Sequence, residues 1–591
     1  GYTWGDTYEY AWFRTKLTLP EETAGKRIVL NLCPGGESTV FVNGSAFGTY
    51  RADWVKQPHH FLVDNTLTRE AKTGDVFEIC METYAGHFYA EAQDSGCSTG
   101  PVLPGLYRDE LAEGARRTLG EGTYGIWDED AYQLFMDVET LSSLLKTLDE
   151  DSLRAARVAE ALEQFTLLVD FEQEKEARSR DYRKARAMLE PVLSAVNGST
   201  MPVFSAIGNA HLDLAWLWPM AETYRKTART FAAQLRLMEE YKDYKFIQSQ
   251  PACYEMCRKY YPELFAQIKE RVKEGRWETL GSMYLEPDCN LISGESFVRQ
   301  IMYGKRFYQK ELGSDSNICF LPDVFGYSSA MPQILKKAGT DYFFTTKLTW
   351  NETNEFPYSV FKWRGLDGTE VLSGMMSMCT QRGLGLYNGD LSAAGVRQSM
   401  DHFKNKENGD PLLYLYGHGD GGGGVTKEML ESVTRLNRVP MMPEVTVGTV
   451  KQYFDELDKE KDYPVWAGEL YFEKHRGTYT TAANNKKNNR KSELLFRDAE
   501  IVSVFQYLEN GTYQGADLEA GWKKILLNQF HDILPGTCIR EVYEECDREY
   551  GEIAGIGQES IRQNLRCIAQ PDEAAVTVYN TLSWSRRQVV S

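Results

Sequence analysis

The residues best suited to chemistry begin with a histidine and an aspartate two positions apart, His211 and Asp213. They follow the apolar run Val203–Ile207, which predicts a buried strand, and precede a helical pattern over residues 222–241. Both side chains are therefore expected on the loop at a strand's carboxyl end, where α/β proteins build their active sites. An imidazole and a carboxylate there can bind one metal ion, and Trp216 would offer a flat apolar wall beside it. Local hydrogen bonding within the loop is the simpler alternative for an isolated His-x-Asp pair.

Two further polar stretches follow predicted strands. Asp323 comes directly after the apolar run Ile318–Pro322, so its carboxylate is either a ligand or nucleophile at a site, or the N-cap of the next helix. His418 and Asp420 alternate with glycines and precede a run of four glycines, which permits close approach of the backbone to a ligand. A phosphate cradle is the rival interpretation, but no Lys-Ser/Thr pair follows in the required place.

A fourth stretch places His531 and Asp532 at the end of an apolar-periodic helix that begins near Gly521. A single histidine at such a position usually does no more than interact with the carboxyl end of the helix. A functional role becomes the better interpretation because four stretches of this kind occur in one chain, each at the end of a predicted strand or helix.

The elements that would position these residues predict a multidomain α/β protein. Short β-rich runs divided by turn residues indicate an N-terminal β-sandwich-like domain, in which Asn43-Gly44 is a strong hairpin signal. Alternating strands and helices then predict a central α/β barrel-like catalytic domain with one functional face, followed by a three-helix bundle. The predicted boundaries are residues 1–135 for the N-terminal domain, 136–198 for a helical linker, 199–464 for the catalytic domain, 465–570 for the bundle and 571–591 for the start of a truncated C-terminal β domain.

The net charge of the chain limits the classes of ligand that we expect, and its cysteine content indicates the cellular compartment. The formal net charge of −19 disfavours nucleic acid and anionic membranes as partners, since either would need a basic face on the protein. Eleven cysteines, an odd number without Cys-x-x-Cys spacing, indicate a reducing compartment, and we expect a cytoplasmic location. No apolar run approaches the roughly 18 residues that span a bilayer.

Taken together, the four stretches resemble glycoside hydrolase family 38, the retaining, metal-dependent α-mannosidases. The similarity extends over about residues 1 to 590 and is most specific in the four motifs. The segment Gly468–Thr481 is similar to sequences of the cytosolic and bacterial branch of that family. The motifs are His211-x-Asp213, Pro322-Asp323-x-Phe325-Gly326-Tyr327, Gly417-His418-Gly419-Asp420 with its following glycines, and Gln529-Phe530-His531-Asp532-Ile533-Leu534-Pro535-Gly536-Thr537.

The resemblance implies a zinc site in which one ligand, Asp323, is also the catalytic nucleophile. Two neutral imidazoles and two carboxylates would leave that site nearly neutral, so zinc could act as a Lewis acid and accept sugar hydroxyls. Cobalt or manganese could also occupy a nitrogen–oxygen site of this kind. The implied metal ligands are His211, Asp213, Asp323 and His531, and the implied substrate-binding residues are Trp216, Phe325, His418, Asp420 and Asp532.

The general acid follows less directly from the resemblance. Golgi-type members carry it in a Tyr-Ala-Asp stretch, whereas the corresponding segment here contains Glu469, Glu473 and His475. If residues 465–473 form one strand, the two glutamates share a face and only one can reach the leaving oxygen. Glu473 is the predicted acid because it stands directly before the turn over residues 474–481; Glu469 and His475 stay open as alternatives.

The predicted activity is removal of terminal α-linked mannose from oligosaccharides through a glycosyl-enzyme intermediate, so the expected partner is an α-mannoside. Two functions from other classes stay open. A zinc-dependent polysaccharide deacetylase also uses histidine and aspartate ligands, but it would not explain the distant Gln-Phe-His-Asp stretch. A mannose-binding protein without turnover is the non-enzymatic alternative. Homo-oligomerisation and linkage preference are not encoded in any of these motifs.

Overall fold

The computed structural model describes residues 2–6, 9–50, 65–85, 116–148, 153–194, 202–376, 387–405, 410–439, 442–459, 462–569 and 574–589. A β-rich N-terminal part is followed by a group of helices, then by alternating strands and helices, and finally by a helical bundle. This order is that of a mixed α/β multidomain protein, as the sequence predicts.

Two larger antiparallel sheets and a separate two-stranded sheet form the N-terminal part. The strands are β1 (Tyr2–Trp4), β2 (Tyr10–Thr18), β3 (Ile28–Asn31), β4 (Glu37–Val42), β5 (Ser45–Tyr50), β6 (Thr66–Thr68), β7 (Val76–Tyr84), β8 (Arg117–Leu119) and β9 (Thr123–Ile126). One sheet has the order β2-β7-β4-β5 and the other β6-β3-β9, while β1 pairs with β8. Ile28, Val40 and Ile79, drawn from both sheets, are buried in one apolar core, which makes the arrangement a sandwich.

The turn between β4 and β5 confirms the hairpin prediction. Asn43 and Gly44 have φ angles of 51° and 82°, the left-handed conformations that a type I′ turn needs at both central positions. Asparagine and glycine adopt this conformation at the lowest steric cost, so the local sequence fixes the register of the strand pair.

Three helices lead from the sandwich to the α/β part: α1 (Glu129–Leu145), α2 (Leu153–Leu168) and α3 (Lys175–Leu193). Helix α1 is capped by Asp128, whose side chain accepts the N–H of Ala131 at 3.1 Å. Leu141 and Leu144 are buried in the same apolar core as the α/β part. The segment predicted as a linker is therefore packed against the catalytic part.

The α/β part consists of two mainly parallel sheets with helices around them. Its strands are β10 (Val203–Asn209), β11 (Phe246–Gln248), β12 (Trp277–Thr279), β13 (Ile318–Phe320), β14 (Tyr342–Thr345), β15 (Val360–Arg364), β16 (Glu370–Met375), β17 (Leu412–Tyr416), β18 (Glu444–Val447) and β19 (Val465–Ala467). Its helices are α4 (Met220–Glu240), α5 (Pro251–Tyr260), α6 (Pro262–Lys273), α7 (Gly294–Phe307), α8 (Met331–Lys337), α9 (Ala393–His402), α10 (Lys427–Leu436) and α11 (Val450–Leu457).

The hydrogen bonding of these strands differs from the predicted barrel. The first sheet has the order β12-β11-β10-β17, with β18 also parallel to β10, and the second has the order β13-β14-β16-β15-β19. Strand β15 is antiparallel to β16 and lies on the edge of β16 opposite β14, and no pairing within the described residues joins the first sheet to the second. Among the described strands, the two sheets therefore stay separate.

The C-terminal part is a three-helix bundle, as predicted, made of α12 (Ala483–Asn510), α13 (Gly515–Leu527) and α14 (Arg540–Ile568). Helices α12 and α13 approach closely at Gly521, where an added Cβ would lie 2.1 Å from the ring of Phe496. The strand expected from Ala575 onward is not formed within residues 574–589. This segment instead contacts α12, where the Arg497 guanidinium donates to the Thr581 carbonyl at 2.8 Å.

None of the helices within the described residues combines the length and the apolar character needed to cross a membrane.

Candidate active site

His211 and Asp213 lie on the loop that leaves the carboxyl end of β10, as predicted. Strand β10 is hydrogen-bonded on both edges, to β17 on one side and to β11 and β18 on the other. The loop is held further by the glycine-rich segment, since the Asp213 N–H donates to the Asp420 carbonyl at 2.8 Å. Both side chains are buried. The centre of the first sheet thus fixes two of the predicted metal ligands.

Asp323 lies just beyond β13 in the second sheet, and its carboxylate is buried. Oδ1 is 2.6 Å from the Nζ atom of Lys347, which is also buried and follows β14. Burial alone would raise the pKa of Asp323, but Lys347 and the two histidines hold it well below its usual value. The carboxylate is therefore ionised at neutral pH.

His531 reaches the same place from the helical bundle. Helix α13 ends at Leu527, so His531 stands on the turn after the helix and not on its last residue. Its backbone N–H and its Nδ1 both lie close to the Glu286 carbonyl, at 3.2 Å and 3.0 Å. Lys486 on α12 holds the turn through hydrogen bonds to the carbonyls of Leu534 and Pro535.

The four predicted metal ligands converge. One donor atom from each of His211, Asp213, Asp323 and His531 lies within 4.8 Å of the others, and all four residues are buried. Asp213 Oδ1 is 3.0 Å from His211 Nε2 and 3.4 Å from His531 Nε2, while Asp323 Oδ2 is 3.6 Å from His531 Nε2.

Two independent observations indicate that this set of donor atoms fits a divalent cation. His531 Nε2 is buried without a hydrogen bond of normal geometry, although it faces carboxylates, which is the environment of a nitrogen whose lone pair serves a metal. In addition, the carboxylates around the cluster outnumber the cations. Although burial alone would lower the pKa of His211, Glu286 and Asp213 raise it to about 9. A bound cation would offset the negative charge that these protons otherwise balance.

Two more predicted residues, Asp532 and Asp420, border the cluster. Asp532 Oδ2 is 3.7 Å from His531 Nε2, and its Oδ1 accepts the hydroxyl of Thr537 at 2.5 Å. Burial, with Asp213 nearby, raises the pKa of Asp532 well above its usual value. Asp420 accepts the hydroxyl of Tyr387, and burial together with Asp213 raises its pKa to about 6. Both groups can exchange hydrogen bonds with hydroxyl groups at the rim of the cluster.

The predicted apolar walls are arranged as follows. Phe325 is buried, and its ring centre lies 4.8 Å from that of His475 and 5.8 Å from that of His531. Trp216 is partly buried and packs edge-on against Trp218 at 6.1 Å. Phe325 is thus in direct contact with the ligand cluster.

His418 contributes to the site through its backbone. Its N–H donates to the Gly424 carbonyl at 2.8 Å, and the Gly424 N–H donates to the His418 carbonyl at 2.7 Å. These two bonds close the glycine-rich loop, whose Asp420 adopts a left-handed φ of 48°. The loop in turn supports Asp213 and orients Asp420.

The geometry argues against the predicted acid, Glu473. Its carboxylate lies at the surface, where it accepts the backbone N–H of Thr353 and, at 3.2 Å, that of Asn354. These hydrogen bonds, the one from Thr353 foremost, lower the pKa of Glu473, whereas a general acid needs a raised pKa. Glu473 therefore serves to tie the segment around residues 351–354 to its own segment.

The two alternatives for the acid differ in environment. Strand β19 ends at Ala467, so Glu469 and Glu473 do not share one strand face as the sequence suggests. Glu469 is exposed and lies near Tyr479. Burial, together with the charges of Glu469 and Asp288, raises the pKa of Tyr479 to about 12. Burial and the neighbouring Lys347 lower the pKa of His475 to about 4, so its imidazole is neutral at neutral pH.

Sequence reasoning missed three residues of this site: Glu286, Lys347 and Tyr387. Lys347 and Glu286 follow strands β14 and β12, so the rule that active sites lie beyond the carboxyl ends of parallel strands could have pointed to both. Tyr387 packs its ring 4.6 Å from that of His211 and gives no signal in the sequence pattern.

Comparisons with known proteins agree with this site. Residues 201–469 match the glycosyl hydrolases family 38 N-terminal domain, and residues 473–568 match the alpha mannosidase middle domain. Alpha-mannosidase 2C1 of Mus musculus is 31% identical over 599 residues, covering 100% of this chain and 55% of the relative. An alpha-mannosidase of Saccharomyces cerevisiae is 34% identical over 620 residues, covering 99% of this chain and 54% of the relative.

The crystal structure of an alpha-mannosidase from Enterococcus faecalis has the same fold over 62% of this chain and 43% of its own, with a TM-score of 0.55 and 20% identity. The fold and the matched domains define the catalytic part as that of a glycosyl hydrolase. More specifically, the chain belongs to glycosyl hydrolase family 38. It spans about half the length of the curated relatives that it matches.

Proposed function

We propose that this chain carries the catalytic centre of a metal-dependent, retaining exo-α-mannosidase that removes terminal α-linked mannose from oligosaccharides. The observation that carries the proposal is the convergence of His211, Asp213, Asp323 and His531 within a chain of family 38. The likeness to proteins described as alpha-mannosidases supports mannose as the sugar.

The ion we propose is zinc, held by two imidazole nitrogens and two carboxylates, which are among its preferred donors. Cobalt or manganese could take the same donors. When bound, the metal would supply Lewis acidity and orient the sugar hydroxyls at the site. Asp420 and Asp532, whose carboxyl groups border the cluster, would bind further hydroxyls of the same ring.

Asp323 is the proposed nucleophile. It must be ionised in order to attack the anomeric carbon, and the Lys347 ammonium at 2.6 Å both keeps it ionised and holds its orientation. Attack forms a glycosyl-enzyme ester as the bond to the leaving oxygen breaks. Water then cleaves the ester, and two displacements retain the configuration. The buried ring of Phe325 covers one side of this reaction site.

For the general acid we propose Glu469 in place of Glu473. Glu469 is the remaining carboxylate of the segment. It lies near Tyr479, whose pKa is raised by both Glu469 and Asp288. Asp288 contacts the segment that carries His531, since its N–H donates to the Gln529 carbonyl at 2.8 Å. These links support Glu469 as the carboxyl group that protonates the leaving oxygen.

A Glu469→Gln variant should slow cleavage of an unactivated mannobioside by about 10² to 10⁴ while cleaving an activated aryl α-mannoside far better, because only the former needs a proton on its leaving group. Initial rates on the two substrates measure this contrast. Glu473→Gln is the matched control, and it should affect both substrates equally because it loosens the segment around Thr353 and Asn354. The reverse pattern would return the role of the acid to Glu473.

The activity itself is tested with an aryl α-mannoside and with defined α-1,2-, α-1,3- and α-1,6-linked mannobiosides, using the full-length protein. Release of mannose supports the proposal. Release of acetate from an acetylated polysaccharide without release of mannose would favour the deacetylase, and binding of mannose without turnover would favour the binding protein.

The described cysteines are all free thiols, which supports a reducing, cytoplasmic location.

A further inference from the structure

Glu286 is a buried residue that faces the Nδ1 atoms of both histidines of the metal cluster, whereas their Nε2 atoms face the carboxylates of the cluster. It follows β12 on the chain and is 1% exposed. Its Oε2 atom is 3.5 Å from Nδ1 of His211, and its backbone carbonyl is 3.0 Å from Nδ1 of His531. One residue therefore faces the same ring nitrogen of two imidazoles that belong to different parts of the chain.

The other nitrogen of each ring faces the cluster. His211 Nε2 is 3.0 Å from Asp213 Oδ1, and His531 Nε2 is 3.6 Å from Asp323 Oδ2. A neutral imidazole carries one proton, so an acceptor at Nδ1 keeps the proton there and leaves the Nε2 lone pair for a metal. The carbonyl of Glu286 does this for His531, and its carboxylate can do so for His211.

The position of Glu286 is fixed from its own side as well. Its Oε1 accepts the hydroxyl of Ser249 at 2.5 Å, whereas Oε2, which lies 3.5 Å from His211 Nδ1, has no hydrogen bond of normal geometry. Its backbone N–H donates to Oε1 of Gln250, whose Nε2 donates to the Leu212 carbonyl at 2.9 Å, between the two ligands of the first loop. A buried carboxylate with one unsatisfied oxygen costs stability, which argues for a role beyond packing.

We propose that Glu286 is the positioning residue of the metal centre, holding His211 through its carboxylate and His531 through its carbonyl so that both present Nε2 to the ion. The inference rests on the proposed metal site and adds a residue that is not itself a ligand. Partners of this kind typically raise metal affinity 10- to 100-fold by fixing the tautomer and the ring orientation of a ligating histidine.

The test measures the zinc dissociation constant of the full chain by competition with a chromogenic chelator. Glu286→Leu removes the carboxylate that faces His211 and keeps the carbonyl that faces His531. It should weaken zinc binding by about 100-fold, and Glu286→Gln, a poorer acceptor, by about 10-fold. Glu278→Gln is the matched control, because Glu278 lies on β12, the strand that precedes Glu286, but accepts the backbone N–H groups of Val450 and Lys451. It should change zinc affinity less than twofold.

The melting temperature of the zinc-free variants separates positioning from packing. A merely structural Glu286 would lower that temperature and leave the zinc dissociation constant of the folded protein unchanged, and this result would overturn the inference. If Glu286→Leu does not fold, Glu286→Gln decides in the same way. Absence of zinc binding by the unsubstituted chain would instead refute the metal site on which the inference rests.

Discussion

An Asp323→Asn variant should fold, retain its metal and hydrolyse α-mannosides at least about 10⁴-fold more slowly than the unsubstituted protein. The amide fills the same buried position next to Lys347 and can still offer an oxygen to the cluster. It lacks the negative charge that attack on the anomeric carbon requires. Steady-state rates on an aryl α-mannoside measure the loss, and metal content per chain shows whether the site is intact.

The informative comparison is with Asp420→Asn, because Asp420 is a half-buried carboxylate at the rim of the cluster. Because Asp420 is proposed only to bind sugar hydroxyls, its substitution should raise KM more than it lowers kcat, unlike the loss at Asp323. Near-normal turnover by Asp323→Asn with full metal content would assign the nucleophile to a different carboxylate.

Removal of the ligand from the helical bundle should abolish both metal binding and activity. In a His531→Ala variant only three of the four converging ligands remain, and the imidazole that faces Asp213 and Asp323 is lost. We expect less than one-tenth of the metal content after dialysis, and a loss of activity of about 10³-fold or more. Elemental analysis and rates on an aryl α-mannoside provide the two measurements.

The matched control is His402→Ala, since His402 lies on the exposed end of α9 and hydrogen-bonds only to the Gln398 carbonyl among the contacts described for it. It should retain full metal content and activity. Retention of the metal by His531→Ala would show that the ion is held without the bundle, in contradiction to the four-ligand site.

What the sequence predicts well is set by local patterns. Apolar runs before His211 and Asp323 identify β10 and β13, and the carboxyl-end rule then places both residues at the site. The left-handed turn at Asn43-Gly44 is likewise local, because the conformational preference lies in those two residues. Helix α14 of the bundle is predictable because its apolar positions recur at the helical period.

What the sequence does not predict depends on contacts between distant segments. The antiparallel placement of β15 beside β16 has no signature in the alternation of strands and helices. The hydrogen bonds from the backbone of Thr353 and Asn354 to the Glu473 carboxylate join segments about 120 residues apart, and no pattern in the sequence predicts them. Glu286 is one of many acidic residues in the sequence, and only the fold brings it against two histidines.

The cluster draws its ligands from distant points of the chain, and this has a consequence for protein synthesis. His211, Asp213 and Asp323 leave the ribosome first, while His531 follows roughly 200 residues later, a delay of about 10 to 40 s at typical translation rates. During that interval the site is one ligand short and open on the side that the bundle later covers. If the cluster binds the proposed ion, high-affinity binding would therefore await docking of the bundle, and metal acquisition would be a late step in the maturation of the protein.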